Sequence, residues 1–129
     1  MKVGDVISKV DVIKPNAFND EVKLEWLSAL DGRVIAEVFL MPLSEFNRPP
    51  YGVDDFGVVL LVDPPHDDIY SSWLQAQIDF SNGEYDKYAN TMVMFNECWG
   101  SLVRWFADTY GPAQGYNGAL ERPLPRVWR

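Results

Sequence analysis

Cysteine is nearly absent from this chain: Cys98 is the sole one among 129 residues. One thiol cannot close a disulfide within the chain, which excludes a disulfide scaffold and a cage of thiolates around zinc. Histidine is as scarce, with His66 alone. Basic residues are outnumbered, eleven Lys and Arg against nineteen Asp and Glu, for a formal net charge of −8. Tight binding to a phosphate backbone needs clustered cations that displace counterions, so this balance argues against it. An acidic wall beside DNA instead repels it and lets it slide. No apolar run reaches the length of a membrane span. The opening MKVGDVISKVDVIKPN is broken by acidic residues too early for a signal peptide, so the expected compartment is a reducing cytoplasm. Also missing are internal repeats, low-complexity tracts, a phosphate-cradling Gly-rich loop, a dinucleotide fingerprint, a nucleophile elbow and metal-ligand pairs at useful spacing.

What is there is apolar and aromatic: 47% of residues are hydrophobic and 14% are Phe, Trp or Tyr, enough to bury the core of one domain. Four segments carry helical spacing. Asp5–Ile13 places Val6, Ile7, Val10 and Ile13 on one face before Pro15. Asp20–Leu40 follows Asn19, a good N-cap, with Asp20 and Glu21 in the first turn where the dipole favours acids. Its stripe is Val22, Trp26, Leu27, Leu30, Val34 and Val38, with Asp31, Arg33 and Glu37 on the wetter side. Gly32 costs this helix about 1 kcal/mol against Ala and is read as room for a neighbouring backbone. Asp67–Asn82 has Ile69, Trp73, Leu74 and Ile78 as its apolar face, with Phe80 nearby. Glu84–Tyr110 carries the strongest period: Tyr85, Tyr88, Met92, Phe95, Trp99, Leu102, Phe106 and Tyr110 recur at steps of three and four. Asn82-Gly83 joins the last two as an antiparallel hairpin.

Two stretches lack periodicity. Met41–Gly57 is a long loop with Pro42, Pro49, Pro50 and Gly52, and loops of that length in compact domains are often docking elements. The run Val58–Val62 after it reads as a short buried strand whose partner is either the preceding loop, as a hairpin, or another subunit. Ala113–Arg129 forms a C-terminal arm with Arg122, Arg126 and Arg129 against Glu121, ending near Trp128. Two readings are open for it: an arm for an acidic neighbour, or a disordered end.

The residues with chemical potential are few. His66 lies among Asp63, Asp67 and Asp68, which reads either as a hard-metal or acid–base site or as the acidic start of a helix. The helix start is the simpler account. Cys98 would need a base and a lowered pKa to act as a nucleophile, and nothing in the sequence brings His66 to it. It reads as a small core residue. Trp99, Arg104 and Trp105 are core or a protein interface, where Trp and Arg dominate binding energy.

Taken together and in order, VISKVDVIKPNAF, GRVIAEVFLMP, PPHDDIYSSWLQAQIDFSNGEYDKYANTMVMFN and RWFADTYGP resemble small proteins of the head-morphogenesis region of prophages in Gram-positive bacteria, the head–tail connector, head-completion or adaptor proteins. The resemblance covers residues 3 to 112. It implies a non-enzymatic subunit whose helices pack as a bundle while loops and termini reach to neighbours; with the residue-level reading, the expected fold is mainly α, a four-helix bundle-like domain (residues 1–112) with a long central loop carrying a short β-strand or hairpin, and a flexible basic C-terminal arm (113–129). It also implies a ring of copies beneath the portal, extending the DNA channel and docking a stopper or tail protein. DNA would pass nearby without sequence-specific binding, and no cofactor, metal, membrane or small-molecule substrate is expected. The location would be the virion head–tail interface, reached from the bacterial cytoplasm during assembly. The loop MPLSEFNRPPYGVDDFG is a departure from that pattern in its length and proline content.

From the residues themselves, ring contacts are assigned to Phe46, Tyr51 and Phe56 of the loop and to the Val58–Val62 run, with Val58 and Leu60 its named contacts. Portal docking is assigned to Arg122, Arg126, Trp128 and Arg129. The alternatives are packing within the subunit for the first set and disorder for the second. Two other functions remain open at this stage: an acidic phage-encoded regulator that masks a host or phage protein, and a metal-dependent hydrolase built on Asp63, His66, Asp67 and Asp68.

Overall fold

The structure is a computed structural model, and it describes residues 1–41 and 49–110. It is mainly helical: α1 (Val3–Ile13), α2 (Asp20–Arg33, continued by a π-helical turn over Val34–Val38), α3 (Asp68–Ser81) and α4 (Tyr85–Tyr110). The element at the centre is α3, on which α1, α2 and α4 all pack.

Helix α1 begins at Val3, two residues before the acid expected to open it. Its buried positions are Val3, Val6, Ile7 and Val10, one face of a 3.6-residue period. Ile13, expected on that face, is instead 53% exposed at the helix end. The first N–H groups of any helix lack partners within it. Here the N–H of Val3 donates to the Val58 carbonyl at 2.9 Å and that of Gly4 to the Phe56 carbonyl at 2.9 Å. Gly4 is required by this close approach, since a Cβ there would lie 3.1 Å from both the Cβ and the carbonyl oxygen of Phe56.

That arrangement corrects the strand expected over Val58–Val62. Among the described residues there is neither a sheet nor a hairpin; one antiparallel bridge between Lys2 and Val59 is all that forms. The carbonyls that a ladder would use are taken by the orphan donors of α1, and the N–H of Leu60 donates to Met1 at 3.0 Å. Leu60, Leu61 and Val62 are buried consecutively, as expected of a continuous apolar run, but among the described residues they join no ladder. The missing partner of this run is the start of the same chain.

Asn19 caps α2 as expected, its side chain accepting from the Val22 N–H at 3.1 Å. The helix was expected to run unbroken to Leu40. Its α-helical part ends at Arg33, and over Val34–Val38 the ladder widens, with the Phe39 N–H bonded to the Val34 carbonyl at 2.9 Å. The wider turn carries Val34, Ile35, Val38 and Phe39 all into the core. Leu40 then takes φ +56 and ends the helix.

The turn of the α3–α4 hairpin is closed by backbone bonds. Gly83 adopts φ +75, its N–H donates to Phe80, and the Glu84 N–H donates to Asp79, the paired bonds of a Schellman motif. The side chain that tightens the hairpin from outside is Lys14, whose ammonium lies 2.6 and 2.7 Å from the two oxygens of the fully buried Asp79. Thr91 of α4 donates to the same carboxylate at 3.0 Å. No described helix is long and apolar enough to cross a membrane.

Candidate partner-binding surface

The residues assigned to ring contacts are spent largely inside the subunit. Tyr51 is buried, its N–H donates to the Ser28 hydroxyl at 2.9 Å, and its phenol donates to Asp31. Leu60 is fully buried. Phe56 and Val58 are half-buried, and their carbonyls hold α1. Phe46, Arg122, Arg126, Trp128 and Arg129 lie outside the described residues.

Asp31 was expected on the wet side of α2 and is buried. Its two oxygens accept from two phenols, Tyr51 and Tyr70, the latter at 2.6 Å. The Tyr70 oxygen in turn accepts from the Val62 N–H at 2.9 Å. One carboxylate thereby ties α2, α3 and the two ends of the segment 51–62 together. Burial of the Tyr70 phenol, reinforced by the neighbouring Asp31, pushes its pKa well above the ordinary tyrosine value. This network explains why a carboxylate is tolerated in the core, where Asp31, Tyr51 and Tyr70 are all buried.

The residues weighed as chemistry are also placed. His66 sits in a turn, its N–H bonded to the Asp63 carbonyl, with its ring 5.0 Å from that of Trp105. Among the described residues, no three His, Cys, Asp or Glu side chains converge to hold a metal ion. Asp68 stands in the first turn of α3, while Asp67 at the N-cap makes no side-chain cap. Cys98 is half-buried and its thiol donates to Asp68 at 3.2 Å. Desolvation, together with that carboxylate, raises the thiol pKa. A reactive cysteine needs the opposite shift.

The exposed surface with partner-binding character is the outer side of α4. In this 26-residue helix only Phe95, Leu102 and Phe106 are buried. Trp99 is half-buried, with the Arg33 guanidinium 4.9 Å from its ring, so it is occupied within the subunit. Trp105 is partly exposed beside His66. On the side away from α3, Val93 is 58% exposed, and Val103 on its flank is 36% exposed, with Glu97 and Arg104 in solvent nearby. The aromatic period of α4 hid this second face, since it drew the reading to the core side. The available signal was Gly100, seven residues from Val93 and from Ala107. Comparison with protein-family models, curated proteins and solved structures finds no match for this chain.

Proposed function

We propose that this chain is a non-catalytic structural subunit that acts by joining protein subunits, of the phage head–tail connector kind suggested by its sequence resemblance. The observation that carries the reading is α4, roughly 39 Å long at 1.5 Å per residue, packed on α3 and on the π-helical turn, with its outer side left uncovered by the described residues. A helix of that length exposing Val93 on this side, with Val103 on its flank, offers a surface for a protein partner. Charge supports a place beside a DNA conduit. Up to Tyr110 the chain has eight basic and eighteen acidic residues, and beyond it three basic and one acidic. The basic residues Arg122, Arg126 and Arg129 are thus suited to reach an acidic neighbour, the portal or another copy. The finer features of the reading, a bundle-like domain and a location at the head–tail interface, belong to this proposal.

The test is mass by light scattering, first for the chain and then for the chain mixed with the portal protein encoded beside it. Co-elution with portal at ring stoichiometry is the expected outcome. A chain that ignores portal overturns the connector reading. It would favour the second one, an acidic protein that masks a host or phage protein, which draws on the same excess of carboxylates.

A further inference from the structure

The outer face of α4 has an internal symmetry. At 100° per residue, Gly100 lies about 120–160° around the helix from Phe95, Leu102 and Phe106, the three residues that face α3. Val93 and Ala107 stand seven residues to either side of it, on nearly the same line. Along one flank run Glu97 and Arg104, and along the other Asn96 and Val103, each pair again seven apart and placed almost evenly about position 100.

Gly100 has no explanation among the described residues. A mid-helix glycine costs about 1 kcal/mol against alanine. Among the described residues, a Cβ at Gly100 would meet within 4 Å only the tip of the flexible Arg104 side chain at 3.4 Å. A glycine at this point of the outer face leaves room for the backbone of another helix to come close. Neither Glu97 nor Arg104 is in an ion pair among the described residues.

We infer that the outer face of α4 binds a second copy of the same chain, antiparallel, with the twofold axis at Gly100. In that pairing Gly100 meets Gly100 of the second copy at the crossing point, and Val93 packs against Ala107 of the second copy. Glu97 of each copy comes beside Arg104 of the other, so two ion pairs form with opposite charges matched. The contact is isologous, the commonest symmetry of small oligomers. It uses the same face of α4 that carries the connector reading, and its test is separate, because a twofold contact closes on itself and needs neither a ring nor portal.

The experiment is the mass of the full chain by light scattering from low micromolar to near-millimolar concentration, with three kinds of variant. The wild type is expected to reach a dimer. Glu97→Arg alone, or Arg104→Glu alone, sets like charges together twice and weakens the dimer by at least about tenfold. The double exchange Glu97→Arg with Arg104→Glu restores it. Gly100→Leu blocks the approach and gives a monomer, yet raises the melting temperature of that monomer, so loss of folding cannot imitate the result. A wild type that stays monomeric throughout overturns the inference. A dimer that ignores the charge exchanges is built on another surface and also overturns it.

Discussion

The phenol of Tyr70 donates to Asp31 at 2.6 Å across 39 residues of sequence, and its oxygen accepts the Val62 N–H. Removing that one oxygen therefore breaks two bonds and leaves a buried N–H and a buried carboxylate short of a partner. Tyr70→Phe should cost about 2–3 kcal/mol, because a hydrogen bond to a charged group is worth more than a neutral one. Urea unfolding measures it. Tyr51→Phe should cost less, and the two together should depart from additivity, since both phenols serve one carboxylate.

The same phenol sets a pH dependence. Its folded pKa is raised, so folding holds a proton that the unfolded chain releases near the ordinary value of about 10. The resulting stability is fully present below about pH 10 and is lost as pH rises through the folded pKa. The stability difference between wild type and Tyr70→Phe should accordingly shrink above about pH 10. A difference that stays constant to pH 11.5 or so would remove this account.

Lys14 and Lys87 make a controlled comparison of ion pairs. Lys14 neutralises the fully buried Asp79, whereas Lys87 meets Glu84 at 3.4 Å with both side chains in solvent. Lys14→Met leaves a buried charge uncompensated and should destabilise by about 2–3 kcal/mol, below the usual range for a fully buried pair because Lys14 is itself partly exposed. Lys87→Met should stay within about 0.5 kcal/mol. Equal effects in thermal melts would contradict the burial argument.

Two glycines should respond in opposite directions to alanine. Gly4→Ala drives a methyl into the backbone and Cβ of Phe56 and should cost about 1–3 kcal/mol. Gly32 has nothing within 4 Å of where a Cβ would sit, contrary to the close approach expected for it, so Gly32→Ala should stabilise by about 1 kcal/mol. Denaturant midpoints of the two variants check both signs at once.

Cys98 should be a slow thiol. With its pKa raised by desolvation and by Asp68, alkylation of the folded protein at pH 8 should lag behind that of the unfolded chain. Asp68→Asn should speed it. A rate equal to that of a free cysteine peptide would mean the thiol does not stay on Asp68.

How far the sequence could be read depended on how local the cause was. The bounds of α4 and the Asn82-Gly83 turn follow from neighbours in sequence, and the structure places them within a residue. The Asn19 cap is equally local. The Val58–Val62 run misled because a continuous apolar stretch has no period, and its true partners are the N–H groups at the start of α1. Asp31 was read as wet because a carboxylate usually is; its burial depends on Tyr51 and Tyr70, 20 and 39 residues away. The π-helical turn at Val34–Val38 left no local mark in composition. Of the residues chosen for partner contacts, Tyr51 and Leu60 are core, while Val93, Gly100 and Val103 went unnoticed behind a stronger stripe on the same helix.

The bonds from Val3 and Gly4 to the carbonyls of Val58 and Phe56 also bear on the order in which the chain folds. The α3–α4 hairpin needs only a tight turn to bring its faces together, whereas α1 docks by closing a loop that reaches from residue 4 to residue 56. The hairpin should form early and α1 should join late, making the N-terminal helix the first piece to open under native conditions. In native-state hydrogen exchange the amides of Val3, Gly4 and Leu60 would then open at a lower free energy than those around Phe95 and Leu102. Exchange of both groups at one shared free energy would make the chain a single cooperative unit, with no detachable end.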